Sequence, residues 1–137
     1  MRFVASLPSG SLSPRSVVAV LTAIATSWGE AMRQDQSGAY PPLYSLGVVF
    51  TPEKKTEVWQ SPPQLIDSRR GDCEDLVIYR FGELLAAGYP VTVDCVFREE
   101  PWGMRQHVRL RKGNTIEDPS LVVLGKAQPQ WPVKLRR

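Results

Sequence analysis

Cys73 stands inside the stretch Gly71-Asp72-Cys73-Glu74-Asp75, the chain's single histidine is His107, and Asp118 lies beyond it. A thiol, an imidazole and a carboxylate in that order supply the nucleophile, base and orienting acid of acyl transfer. A thiol attacks only as thiolate, so what surrounds Cys73 decides whether the set can react. Taken singly, a cysteine in an amphipathic helix is packing and a histidine on a strand is structural. The combination points to a catalytic triad of Cys73, His107 and Asp118.

The triad needs particular elements around it. Cys73 to Ala87 places Leu76, Val77, Tyr79, Arg80, Leu84 and Leu85 at a helical period, and Gly88 with Pro90 ends the run. Cys73 therefore falls in a first turn, where unpaired backbone N–H groups and the positive end of the helix dipole favour a thiolate and can hold an oxyanion. The Cys73 amide is the first such donor. Asp72, Glu74 and Asp75 suit a helix start without doing chemistry. Asp72 or Asp75 is a candidate to orient the loop or to meet Arg69, Arg70 or Arg80, and neither is read as catalytic, because nearby carboxylates raise a thiol's pKa.

His107–Arg111, the turn Lys112-Gly113-Asn114 and Thr115–Asp118 read as a hairpin with His107 opening one strand and Asp118 closing the next. That would set imidazole and carboxylate side by side at one end of the sheet. Upstream, Val91, Val93, Cys95 and Phe97 alternate with more polar residues as a half-buried strand. Cys95 on its apolar face is a small buried hydrophobe.

The rest of the chain frames this core. Ser13-Pro14 opens a helix whose stripe Val17, Val18, Leu21, Ile24, Ala25, Trp28 and Met32 faces a core. Gly38–Pro42 breaks it, Leu46–Thr51 reads as a short strand, Pro52–Thr56 as a solvated turn, and Ser61–Ser68 as a capped helical turn. Leu121–Leu124 is a last short strand or turn, the remainder to Arg137 is an irregular tail and a candidate partner contact, and Met1–Ser13 is read as strand and loop, with a segment covering the site as the alternative. One domain spans 1–137: an N-terminal helix at about 14–37, a core at about 46–124 and a tail at about 125–137.

With 42% hydrophobic and 23% charged residues, the chain of 137 can bury a core without metal or disulfide staples. The net charge of +3, much of it from Arg105, Arg109, Arg111, Lys112, Lys134, Arg136 and Arg137, reads as a solvated face. No aromatic residues interleave with it as nucleic-acid binding requires, so no nucleic-acid partner is expected. Cys73 and Cys95 are expected to be reduced. No C-x-x-C pair or second histidine supports zinc, no glycine-rich loop cradles phosphate, and no cofactor or metal is expected. The N-terminus lacks a secretory pattern and no apolar run is long enough to cross a bilayer. A cytoplasmic location is expected, with a virion-associated one as the alternative.

From about Trp59 to Ser120 the chain resembles the transglutaminase-like, papain-like cysteine hydrolase superfamily, especially its short bacterial and phage-encoded members in which GDCED opens a helix. The resemblance rests on Trp59-Gln60-Ser61-Pro62, Gly71–Asp75, Ala86-Ala87-Gly88-Tyr89-Pro90, Gln106-His107-Val108 and Glu117-Asp118-Pro119-Ser120. It implies an α+β fold with a nucleophile helix packed on a small antiparallel sheet and an additional N-terminal helix. It also implies Cys73 as nucleophile, His107 as general base and acid, and Asp118 as orienting acid. The substrate would be a peptide or protein, cleaved at a peptide or amide bond through an acyl-thioester. Members of the superfamily include peptidases, amidases, transglutaminases and inert interaction domains, so the alternative is a non-catalytic virion or host-interaction protein with a phage or bacterial partner. Papain-like enzymes often use an upstream glutamine as an oxyanion donor; Gln60 and Gln64 do not stand at a fitting spacing. Trp59 and Trp102 are read first as packing aromatics, with walls of the site as the alternative.

Overall fold

In a computed structural model the chain folds as α+β, and residues 4–8, 13–35, 37–52, 56–101 and 103–133 are described. In chain order the elements are β1 (Val4–Pro8), α1 (Pro14–Gln34), a 3-10 turn (Leu43–Ser45), β2 (Val49–Phe50), β3 (Thr56–Gln60), α2 (Pro62–Ser68), β4 (Arg70–Gly71), α3 (Cys73–Ala86), β5 (Thr92–Glu100), β6 (Gly103–Lys112), β7 (Thr115–Glu117) and α4 (Pro119–Val123). β5, β6 and β7 form an antiparallel sheet in that order. β1 pairs antiparallel with β3, and β2 pairs parallel with β4.

Local signals fix the helix starts. The Ser13 side chain accepts the Ser16 N–H ahead of Pro14, and Ser61 and Gln64 form a reciprocal capping box ahead of Pro62. α3 is the centre of the fold. The sequence suggests one apolar face, but every residue from Cys73 to Leu84 is buried, because α3 is enclosed on all sides. On one side Val77, Ile78, Phe81 and Leu84 pack with Val17 and Leu21 of α1 and with Val93, Val108 and Leu110 of the sheet. On the other, Leu76 and Tyr79 meet Met32, Leu43, Leu46, Val48 and Leu65. The α1–α3 crossing is close because Gly29 faces Gly82: a β-carbon on Gly29 would stand 3.1 Å from the Gly82 carbonyl oxygen.

Several sequence expectations change. The Leu46–Thr51 strand shrinks to Val49–Phe50, since the 3-10 turn and Gly47, at φ 70°, occupy the preceding residues. Leu121–Leu124 belongs to a helix and its cap, because Asp118 and Pro119 supply an N-cap and a first helical residue. β3 was not anticipated. His107 lies inside β6 rather than at its start, and β7 ends at Glu117, one residue before Asp118. The stretch after α4 forms no regular element through Val133, yet Trp131 is buried in the main core. Trp102, Lys134, Arg136 and Arg137 lie outside the described residues, as do parts of Met1–Ser13 and the Pro52–Thr56 turn. Among the described residues, no helix is long and apolar enough to cross a membrane.

Candidate active site

α3 begins with a built cap. The Asp72 side chain accepts the Asp75 N–H at 3.1 Å, and the Asp75 carboxylate accepts the Asp72 N–H at 3.0 Å. Asp75 is further held by the Gln60 N–H at 2.7 Å and the Gln60 side-chain amide at 3.0 Å. Gln60 is thus a scaffold residue, and Asp75 is the residue that orients the loop. Burial pushes the Asp75 carboxyl up to about 6 even though these hydrogen bonds pull it down. Gly71 fits tightly: a β-carbon there would lie 2.9 Å from Leu65 Cδ1 and 3.1 Å from Asp75 Cβ. Among the described residues, the box leaves the N–H groups of Cys73 and Glu74, the first two of the helix, without an acceptor.

Cys73 is 4% exposed and its thiol donates to Glu74 Oε2 at 3.0 Å. Burial raises its pKa well above the ordinary thiol value, the charges of Glu74 and Asp72 and the hydrogen bond to Glu74 add to this, and a backbone hydrogen bond with Val108 works against it. The activation expected of a helix N-terminus is therefore outweighed at rest. Glu74, read from sequence as a helix-start residue, is a buried partner of the thiol, and Gln106 approaches its other oxygen at 3.5 Å. Its place beside a cysteine in a first turn was the available signal. Gln106 had none beyond adjacency to His107.

His107 and Asp118 do meet. Nε2 of His107 lies 2.5 Å from Asp118 Oδ2, with both side chains under a tenth exposed. Asp118 Oδ1 meanwhile accepts the N–H of Ser120 at 3.1 Å and of Leu121 at 3.4 Å, capping α4. One carboxylate thus caps a helix and holds an imidazole. A carboxylate accepts only, so Nε2 carries the proton and Nδ1 is the ring nitrogen left to take another. His107 adjoins Val108, whose backbone meets the Cys73 sulfur, so the start of α3 and this part of β6 are neighbours. No hydrogen bond joins Cys73 to His107.

Behind Asp118 lies a buried ionic cluster. Arg80 of α3 donates from Nε to Glu117 Oε2 at 2.7 Å and from Nη2 to Glu117 Oε1 at 3.0 Å, while Nη1 reaches Glu83 at 3.0 Å. The Tyr44 hydroxyl and the Gln130 N–H also donate to Glu117, and Arg80 Nη2 donates to the Trp131 carbonyl. These bonds fix the junction of β7 with α4, and with it Asp118. Arg69 donates to the Ile66 and Leu46 carbonyls.

Trp59 is buried within the core cluster that contains Cys73, and among the described residues its indole N–H has no partner, nor does the buried Ser120 hydroxyl. Cys95 is half-buried, packs against the same cluster, pairs in register with Val108 and is not joined to Cys73. Among the basic residues of the sheet, Arg109 pairs with Asp94 at 2.7 Å. Among the described residues no group of histidine, cysteine and acidic side chains could hold a metal ion. No family model, curated protein or solved structure matches this chain.

Proposed function

We propose that the protein is a cysteine-dependent hydrolase of a peptide or amide bond, built on a papain-like, transglutaminase-like core, with Cys73, His107 and Asp118 as its triad. The observation that carries this reading is the buried 2.5 Å pairing of His107 Nε2 with Asp118 Oδ2 on the strand whose next residue touches the Cys73 sulfur. The thiol rotates from Glu74 to His107 Nδ1, which takes its proton. The thiolate attacks the substrate carbonyl carbon, and the oxyanion meets the open N–H groups of Cys73 and Glu74. As the C–N bond breaks, the imidazolium gives its proton to the departing amine. Water, deprotonated by His107, then cleaves the thioester and restores the thiol. Asp118 keeps the ring oriented and stabilises its cation. Hydrolysis needs only water, which favours it over transfer to an amine.

A second reading is a non-catalytic protein of this fold, associated with a virion or a host partner. The thiol's hydrogen bond to Glu74 and its raised pKa favour it. The experiment is Cys73 alkylation by iodoacetamide against pH in a Cys95→Ser background, with and without His107→Ala, together with intact-mass detection of acyl adducts from activated peptide esters. A rate that falls without His107, with an adduct on Cys73, supports the hydrolase. A rate indifferent to His107 and no adduct would favour the binding protein.

A further inference from the structure

A cavity of about 510 Å³ opens at the other end of α3, between the C-terminal ends of α1 and α3, and the 38–42 loop, Tyr89 and Pro132-Val133 complete its walls. Glu83 lines it, ten residues along α3 from Cys73, hence about 15 Å away at the helical rise. The cavity is therefore separate from the candidate active site. Its chemistry is one-sided. Both helices turn the negative ends of their dipoles towards it, Asp35 and Glu83 are on its wall, and none of its described lining residues is basic. Met32, Tyr40 and Tyr89 give it apolar and aromatic surface.

The buried charge behind Glu83 is unbalanced. Arg80 is shared between two carboxylates, Glu83 of its own helix and Glu117 of β7, so among the described residues one positive charge faces two negative ones. Glu83 also accepts the Leu43 N–H at 3.1 Å, and the other titratable groups facing it are the hydroxyls of Tyr44 and Tyr79. A monovalent cation in the cavity would complete the charge balance.

We propose that this cavity binds an organic cation, a primary amine with an apolar or aromatic body, its ammonium on the Glu83 carboxylate and its body against Met32 and Tyr40. The ammonium gains a carboxylate and two helix C-termini; the Tyr89 ring already faces Lys112 Nζ at 5.9 Å, so Tyr40 is the aromatic wall left for cation–π attraction. The site is independent of the chemistry at Cys73.

The test is calorimetric titration of 2-phenylethylammonium chloride into the whole protein at pH 6 and pH 8, with 2-phenylethanol as the uncharged control. Burial pushes Glu83 up to about 7, so it passes from about one-tenth to about nine-tenths ionised across that range, and affinity should rise roughly tenfold. Glu83→Gln should abolish that pH dependence and weaken binding about tenfold or more by removing the charge. Ala87→Trp, on the exposed rim, should block entry while leaving the melting temperature unchanged, and Cys73→Ser should bind as the parent does. Absence of saturation by the amine, equal binding of the alcohol, or unchanged binding in both Glu83→Gln and Ala87→Trp would overturn the proposal.

Discussion

The Cys73 thiol donates its hydrogen bond to the Glu74 carboxylate, 3.0 Å away, and not to the His107 imidazole. Glu74 thereby holds the proton on sulfur. Glu74→Gln removes the negative charge and keeps the shape, so the thiol pKa should fall and alkylation near pH 8 should quicken by up to about tenfold. Stopped alkylation with mass readout, in the Cys95→Ser background, measures this; an unchanged rate would show that burial alone sets the pKa.

Asp118 has two duties on two oxygens, and substitutions should separate them. Asp118→Asn retains a cap for α4 but loses the charge beside His107, so turnover should drop about 10²–10⁴-fold with little change in melting temperature. Asp118→Ala should lose the same activity and about 1 kcal/mol of stability besides. Denaturant titration of the pair reads the difference.

Asp75 and Glu83 carry pKa values pushed up to about 6 and about 7 from ordinary values of 3.8 and 4.5. The folded protein therefore holds their protons more tightly than the unfolded chain does. That stabilisation is complete below the ordinary values and is lost as pH rises through the raised ones. Glu83→Gln, neutral throughout, should lie close to the parent's melting temperature near pH 5 and exceed it near pH 8 by several degrees, equivalent to about 2–3 kcal/mol. Parallel melting curves across that range would contradict it.

Arg80 is 2% exposed and serves two carboxylates. Arg80→Met leaves both without their cation and should cost about 3–5 kcal/mol. Adding Glu117→Gln should recover part of the loss, since a buried charge goes with it. A double-mutant cycle by urea unfolding gives the coupling, and strict additivity would argue that the pair is not the hub it looks to be.

The parts of the fold legible in the sequence are those fixed by neighbours along the chain. Ser13-Pro14, Ser61-Pro62 and Gly88 mark α1, α2 and the end of α3 through local caps and turns. Asp118-Pro119 carries the same signature as Ser13-Pro14, but Leu121–Leu124 is too short an apolar run for periodicity to tell helix from strand, and the strand reading was wrong. β3 was missed because its partner is β1, about fifty residues away, and nothing local announces such a pairing. The candidate site divides in the same way. Cys73, His107 and Asp118 are identified by residue type and order, and the structure brings His107 to Asp118. The role of Glu74 depends on burial, and that of Arg80 and Glu117 on contacts between distant segments; neither property is written in a short window of sequence.

The Glu117 carboxylate gathers Arg80, Tyr44 and Gln130, so it closes loops of very different length at one point. Closing the longer of these loops costs the unfolded chain conformational entropy. Asp118 is the next residue, so the His107–Asp118 pair, itself local to the β6–β7 hairpin, stands against a junction where chain segments from both sides of α3 meet. A change at Glu117 would therefore be felt in three separate stretches of the chain at once, around Tyr44, Arg80 and Gln130.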